Sequence, residues 1–404
     1  MTNVVMISPG YPLEMSYFTR GLAAVGATVI GVGDQPREAL PGPARESLAH
    51  YEHVSLADEG AVVEALRGLS RHVRIDQVEC LWEPYMLLAA RLREVFGLPG
   101  MTVQQTLPFR DKELMKRTLD AAGIRTPWHA SATTVAGIWE AAEQVGYPLI
   151  VKPIAGAGSA DTYRVDSATE LSEVLPNLRH VPEVSVEEFV DAEELTYDTV
   201  CAHGRVLYEH VLLYRPRPLQ MALHEWVSPV AISLRDLDVP YLEGGLQMGH
   251  QVLEALGFDT GFTHMEWYRK PDGEVVFGEI GARPPGVRVV DMMNYNTDGD
   301  IYVGWAEAVV HGGMRQLANR HNVGSICKRA QGAGRITSIQ GLDHLLAAYG
   351  HDVVLVDLQP VGAPRRDWRA STIGDGIIMV RNHELQRVME MTERFATDLQ
   401  LYAG

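Results

Sequence analysis

The sequence feature that most constrains the fold is an acidic hairpin near residue 270. Two strand-like runs, residues 262–269 and 274–281, flank the segment Lys270-Pro-Asp-Gly, and Asp-Gly is a strong signal for a tight hairpin turn. If Asp272 and Gly273 are the two central turn residues, the register of the strands follows. The directly opposed pairs are then Glu266 and Glu279, His264 and Gly281, and Tyr268 and Phe277.

The two opposed glutamates predict a cation site. Like charges facing each other destabilise a sheet unless something neutralises them, and a hard divalent cation that takes carboxylate oxygens does so directly. We therefore expect Glu266 and Glu279 to bind Mg²⁺, with Mn²⁺ as an alternative. A different register or loop length would leave both glutamates merely solvated.

Charge and composition limit the partners. The 404-residue chain has 35 Lys and Arg against 52 Asp and Glu, a net charge of −17 that repels nucleic acid. The three cysteines form no CxxC pair, and no apolar run approaches the roughly 20 residues of a membrane span. We expect a soluble cytoplasmic protein with no membrane or nucleic-acid partner.

The first hundred residues alternate strand and helix signals. Runs at 4–7, 27–32 and 77–82 have strand character and residues 17–25 have helical spacing, which predicts a Rossmann-like βαβ opening. The loop at 8–12 lacks the three-glycine spacing of dinucleotide sites, which disfavours NAD or FAD. Asp34 and Glu83 follow strands and are weak site candidates, since a helix cap or a surface position is the more common role for such residues.

A second set of residues predicts phosphate binding. Lys152 ends the apolar strand 149–152, and the small-residue loop 155–159 that follows lets backbone N–H groups approach an anion. Lys112 lies at the start of the helix predicted over about 111–122. The Walker pattern is absent, and the loop by itself is more often a flexible connector.

The predicted fold class combines α/β and α+β organisation in three domains. They are an N-terminal βαβ domain over 1–107, a central domain over 108–330 divided into 108–185 and 186–330, and a small C-terminal α/β domain over 331–404.

The segment from about residue 110 to 286 resembles an ATP-grasp domain, and the flanking regions resemble the pre-ATP-grasp and C-terminal domains of the carboxylate-amine (amino acid) ligase branch. The resemblance is carried, in family order, by Asp-Lys112, Pro148-Leu-Ile-Val-Lys152-Pro with the glycine loop, Val186-Glu-Glu-Phe-Val-Asp-Ala-Glu-Glu194, His264-Met-Glu266 and Gly278-Glu-Ile-Gly-Ala-Arg283-Pro-Pro-Gly286.

The resemblance implies a role for each motif. The ATP phosphates would contact two lysines and the glycine loop, namely Lys112, Lys152, Gly156, Gly158 and Ser159. The adenine would contact the connector residues Glu187, Phe189 and Val190, and the ribose would contact Glu194. The hairpin glutamates, Glu266 and Glu279, would hold magnesium. Arg283 would contact the transferring phosphoryl group, and Arg288 suits a substrate carboxylate through its bidentate fork.

Two positions depart from the family pattern. Many ATP-grasp ligases have Asn where this chain has Gly281, which puts the second metal position in doubt. Enzymes resembling purine-pathway carboxylases and transformylases have a small residue there but follow with His, where this chain has Pro285. His264 lies on the face of Glu266 and is at least as often a structural histidine as a ligand.

The resemblance implies an ADP-forming ligase that activates a small carboxylate as an acyl phosphate and joins it to an amine, and a homodimer is the family expectation. The alternatives are a bicarbonate- or formate-using carboxylase or transformylase and a non-catalytic ATP-binding regulatory protein.

Overall fold

The computed structural model describes residues 2–154 and 161–404, without the side chain of residue 222. The predicted mixed α/β and ATP-grasp organisation is confirmed. The N-terminal region begins as a βαβ unit, as its periodicity predicts. Its elements are β1 (Asn3–Ile7), α1 (Met15–Ala24), β2 (Thr28–Gly33), α2 (Gly42–Ser47), β3 (Leu48–His53), α3 (Glu59–Ser70), β4 (Gln77–Glu79) and α4 (Met86–Phe96).

These strands form a parallel sheet in the order β3-β2-β1-β4. Apolar side chains of β1, β2 and β4 pack against α3 and α4. Strand β3 was not predicted, because Leu48–His53 is rich in polar residues and has three exposed positions. The loop that carries Glu83 follows β4, at the carboxyl edge of the sheet, where open α/β sheets bind ligands.

The next region begins with two helices and builds a smaller antiparallel sheet in the order β5-β8-β6-β7. Asp111 caps the second of these helices by accepting hydrogen bonds from the N–H groups of Glu113 and Leu114, at 3.0 and 2.9 Å. The elements are α5 (Val103–Thr106), α6 (Lys112–Ala121), β5 (His129–Ala132), α7 (Val135–Val145), β6 (Leu149–Pro153), β7 (Tyr163–Val165), α8 (Ala168–Val174) and β8 (Val184–Glu188).

The remaining chain forms most of the molecule's core. Its elements are β9 (Glu193–Ala202), β10 (Arg205–Arg215), α9 (Pro218–Leu223), β11 (Val230–Ser233), α10 (Pro240–Ala255), β12 (Gly261–Arg269), β13 (Val275–Gly281), α11 (Val289–Thr297), α12 (Ile301–His311), β14 (Asn322–Lys328), β15 (Gln331–Gly332), β16 (Ile336–Gln340), α13 (Leu342–Tyr349), β17 (Val353–Leu358), β18 (Gly376–Asn382), α14 (Leu385–Asp398) and β19 (Gln400–Ala403).

Eight of these strands form one sheet in the order β13-β12-β9-β10-β11-β14-β18-β17. The sheet continues across residue 330, because β18 pairs with β14 and β17 pairs with β18, so neither forms a separate sheet. A small sheet, β15-β19-β16, lies beside it. The division of the chain at 107 and 330 therefore stays a sequence-based prediction, and the strand pairing joins the last predicted unit closely to the central one.

The β12–β13 hairpin contains two departures from the predicted register that offset each other. The loop has three residues, Pro271 to Gly273, since the N–H of Lys270 donates to the carbonyl of Glu274 at 2.9 Å. A bulge then inserts Gly278, where a side chain would lie 2.8 Å from the carbonyl oxygen of Glu266. The predicted pairing of Tyr268 with Phe277 is wrong, because the longer loop moves that pairing by one residue: Trp267 faces Phe277, and Tyr268 faces Val276.

Beyond the bulge the register returns to the predicted one. Glu266 faces Glu279 and His264 faces Gly281, as the sequence predicts. None of the helices in the described parts of the chain has the length and apolar character needed to cross a bilayer.

Candidate active site

The two hairpin glutamates lie side by side at one edge of the large sheet. The side chains of Glu266 and Glu279 are each 32% exposed, so both carboxylates remain accessible. Lys112, the first residue of α6, places its Nζ 3.0 Å from Glu279 Oε1. The structure thus brings together a predicted phosphate contact and the predicted metal ligands.

A second ion cluster lies between α6 and the smaller sheet. Glu187, on β8, is 4% exposed and its carboxylate contacts Lys152 Nζ at 3.0 Å and Lys116 Nζ. Burial alone would raise the pKa of Glu187, but the two lysines hold it well below its usual range. Burial lowers the pKa of Lys116 to about 8, against the attraction of Glu187.

Lys116 was missed by sequence reasoning. It is only 1% exposed and lies one helical turn after Lys112, on the same face of α6 as Met115 and Leu119. A pair of lysines on the apolar stripe of a helix is a signal that would have identified it, since buried lysines need an anion nearby. For Lys152, burial lowers the pKa, but the pull of Glu187 and then Glu279 raises it overall.

The predicted adenine and ribose contacts converge on Arg217, which was not predicted. Arg217 Nε donates to Glu194 Oε2 at 3.2 Å, and its Nη1 donates to the carbonyl of Val190 at 2.8 Å. The guanidinium also lies 5.2 Å from the ring centre of Phe189. Burial, and secondly the charge of Glu266, raise the pKa of Glu194.

Glu83 connects the N-terminal region to the site. Its side chain is 10% exposed, accepts a hydrogen bond from Arg283 Nε at 2.7 Å through Oε2, and pairs with Arg110 through Oε1. The role of a helix cap or surface residue that we favoured for Glu83 is therefore wrong. The carboxylate binds two arginines because the β4 end packs against the end of the hairpin.

Gly281 makes room for this arrangement. A Cβ at position 281 would lie 3.2 Å from Cγ and 3.5 Å from Nε of Arg283. An Asn at this position, as in many ATP-grasp ligases, would compete with Arg283 for space. A side chain at position 281 would thus require Arg283 to shift by a few tenths of an ångström.

A buried polar row lies next to the hairpin glutamates. Asp198 is fully buried on β9 and accepts from Nδ1 of His264, at 2.5 Å, and from Nδ1 of His210, at 2.8 Å. Burial opposes both shifts, but the pairing lowers the pKa of Asp198 to about 2 and raises that of His264 to about 9. Asp198 and His210 were not predicted, since a lone Asp or His in a long strand carries no local signal.

The remaining predicted site residues are Arg288 and the three residues of the glycine loop. Arg288 donates from Nε to Asp291 at 2.7 Å and from Nη1 to Asp357 at 2.8 Å, so two carboxylates already bind its guanidinium. Its contact with a substrate carboxylate stays a prediction. Gly156, Gly158 and Ser159 lie outside the described residues.

Comparison with known proteins agrees with this fold. A family model described as the ATP-grasp N-terminal domain matches residues 23–100. The crystal structure of an L-amino acid ligase from Bacillus licheniformis superposes with a TM-score of 0.79 at 21% identity, covering 100% of this chain and 99% of that one. Residues 23–100 therefore match the ATP-grasp N-terminal domain, and the whole chain has the fold of that ligase.

Two curated relatives extend the comparison of this chain. It is 26% identical over 246 residues to the L-arginine-specific L-amino acid ligase of Bacillus subtilis, which covers 58% of this chain and 59% of that relative. It is 25% identical over 358 residues to the formate-dependent phosphoribosylglycinamide formyltransferase of Synechocystis sp., covering 86% of each. The alignment with the B. subtilis ligase thus spans less than two thirds of that relative's length.

Proposed function

We propose that this chain is a cytoplasmic ADP-forming ligase that activates an amino acid or another small carboxylate as an acyl phosphate and joins it to an amine. The observation that carries the proposal is the direct opposition of Glu266 and Glu279, with Lys112 Nζ 3.0 Å from Glu279. Paired accessible carboxylates beside a lysine suit a divalent cation and a nucleotide polyphosphate. The L-amino acid ligase named among its relatives supports the choice of substrate class.

The residues around the hairpin suit the nucleotide. Lys112 and Lys152 supply positive charge for the phosphates. A phosphate contact of the loop 155–159 stays a sequence-based prediction, because these residues lie outside the described part of the chain. We assign the connector Glu187, Phe189 and Val190 to adenine and Glu194 to the ribose hydroxyls. Arg217 contributes by holding the Val190 carbonyl and the Glu194 carboxylate in place.

The donor set fits magnesium. Glu266 and Glu279 offer carboxylate oxygens, which Mg²⁺ prefers, and the described residues contain no cluster of three or more His, Cys, Asp or Glu that would form an all-protein cage. Two protein carboxylates plus substrate phosphates are a common magnesium environment. When bound, the cation neutralises phosphate charge.

The chemistry needs positioning more than a protein nucleophile. A carboxylate oxygen of the substrate attacks the γ-phosphorus of ATP, the bond to the bridging oxygen breaks, and ADP leaves. The amine nitrogen then attacks the acyl carbon, loses a proton, and phosphate leaves. We assign to Arg283, which donates a hydrogen bond to Glu83, the stabilisation of the negative charge of the phosphoryl oxygens.

A formate-dependent transformylase is the second candidate. It is favoured by the alignment over 86% of both chains and by the small residue at position 281. The same ATP-binding residues would serve formate activation. What differs is the acid that accepts the phosphoryl group.

The experiment that tests the proposal is ADP and phosphate release from ATP and Mg²⁺ with amino acids singly and in pairs, with formate and bicarbonate as separate arms. Release that needs a carboxylate and an amine, with a condensed product detected by mass, supports the ligase. Release that needs formate and an amine supports the transformylase. Tight ATP binding without release in any arm would contradict both, and sedimentation of the same sample tests the expected homodimer.

A further inference from the structure

We propose that His264 and Asp198 are positioning residues that set the orientation of Glu266 for its divalent cation. The inference rests on the proposed function, because it requires Glu266 to be a metal ligand. It gives a function to the buried polar row of Asp198, His264 and His210, which has no assigned contact with phosphate or substrate.

The row follows from strand order. Asp198 on β9 faces His264 on β12 on one side and His210 on β10 on the other. His210 Nε2 in turn lies 2.7 Å from Ser233 Oγ on β11, so hydrogen bonds continue across four adjacent strands. Asp198, His210 and Ser233 have no solvent exposure, and His264 has 7%.

The row ends at the metal site. With Nδ1 bound to Asp198, the imidazole of His264 directs Nε2 towards Glu266 Oε1, 3.7 Å away. On its other side His264 faces Gly281, which has no side chain to restrain either residue. Asp198 therefore determines the direction of the ring. The ring lies beside Oε1 of Glu266, and Oε2 of the same carboxylate is left for the cation.

The burial of the row argues against a purely structural role. A charged or polar cluster with no solvent access is costly, and apolar residues of similar volume usually serve stability as well or better. Partners behind a metal ligand commonly fix its orientation, and their loss weakens metal binding. Thr196 supports the same arrangement, because its hydroxyl donates to Asp198 Oδ2 at 3.0 Å and it faces Glu266 in the sheet.

The test measures cation binding directly. Mn²⁺ would be titrated into the full chain with ADP present, and free Mn²⁺ followed by electron paramagnetic resonance, for wild type, Asp198→Asn, His264→Phe and Glu266→Gln. We expect both positioning variants to bind Mn²⁺ about tenfold more weakly than wild type. Metal-free ADP affinity, measured by calorimetry, should stay within about twofold of wild type.

His210→Asn is the matched control, since it removes the other histidine of Asp198 and leaves the side facing Glu266 intact. We expect it to keep most of the Mn²⁺ affinity. Circular dichroism confirms folding, and His264→Phe suffices if the Asp198 variant does not fold.

The remaining outcomes overturn the proposal in distinguishable ways. Unchanged Mn²⁺ affinity in folded His264→Phe would contradict positioning while leaving the metal site intact. A loss as complete as in Glu266→Gln would make His264 a direct ligand. Wild type that binds no Mn²⁺ with nucleotide would overturn the proposed function together with this inference.

Discussion

Arg283 donates a hydrogen bond from Nε to Glu83 Oε2 over 2.7 Å, although 200 residues separate them in the chain. The contact joins the carboxyl edge of the N-terminal sheet to the end of the β12–β13 hairpin. Arg110 contacts the other oxygen of the same carboxylate. The guanidinium proposed to meet the transferred phosphoryl group is therefore held by a residue from outside the central domain.

Glu83→Gln should reduce both stability and turnover, because a neutral amide cannot balance two guanidinium groups. We expect the free energy of unfolding to fall by about 2 kcal/mol, since the arginines keep some solvent contact, and kcat to fall at least about tenfold. Urea unfolding and ADP release measure the two effects. Glu79→Gln, which affects the pair with Arg93 inside the same region, is the control for turnover. An unchanged kcat in Glu83→Gln would exclude a role for the contact in catalysis.

Glu279→Gln should abolish magnesium-dependent turnover while the fold stays intact. The amide keeps the shape of the side chain but loses the charge that balances a cation, so we expect kcat to fall at least about a hundredfold. Glu274→Gln, at the other end of β13, is a matched control because its carboxylate pairs with Lys270 and Arg125 away from the site. Full activity in Glu279→Gln would refute the metal assignment.

The substitution Lys116→Met should weaken ATP binding, although the side chain of residue 116 does not contact the nucleotide in the proposed site. It leaves Lys152 as the main partner of Glu187 and removes one positive charge from beneath the proposed phosphate site. We expect the Kd for ATP to rise at least about threefold. Equilibrium binding of a fluorescent ATP analogue measures it, and Arg117→Met, on the exposed face of the same helix, is the control. Equal affinities of the two variants would contradict this role for Lys116.

Lys328 should make stability depend on pH. Burial lowers the pKa of its ammonium to about 8, from about 10.5 in an unfolded chain, although Nζ donates to Ser228 Oγ and the Ala396 carbonyl. Between these values the unfolded chain binds more protons than the folded one, so stability rises with pH. From pH 7 to 9.5, wild type should gain about 2 kcal/mol relative to Lys328→Met in urea unfolding. A difference that does not change with pH would show that the ammonium is not destabilised by burial.

Local pattern was enough for much of the fold. Helix α6, Lys112–Ala121, lies within the predicted span 111–122, and the parallel opening follows from alternating strand and helix periodicity. Strand β3 escaped prediction because its side chains are largely polar, and edge strands need little apolar character.

The opposition of Glu266 and Glu279 followed from local pattern, because the two strands of a hairpin are neighbours in the chain and pair with each other. That pairing held despite a longer loop, since the Gly278 bulge restored it. Local pattern carried no information on three contacts of the folded chain, namely Glu83 with Arg283, Lys116 with Glu187 and Asp198 with His264. These partners lie on elements far apart in sequence, and the order of strands in a sheet depends on the packing of the whole core rather than on local periodicity.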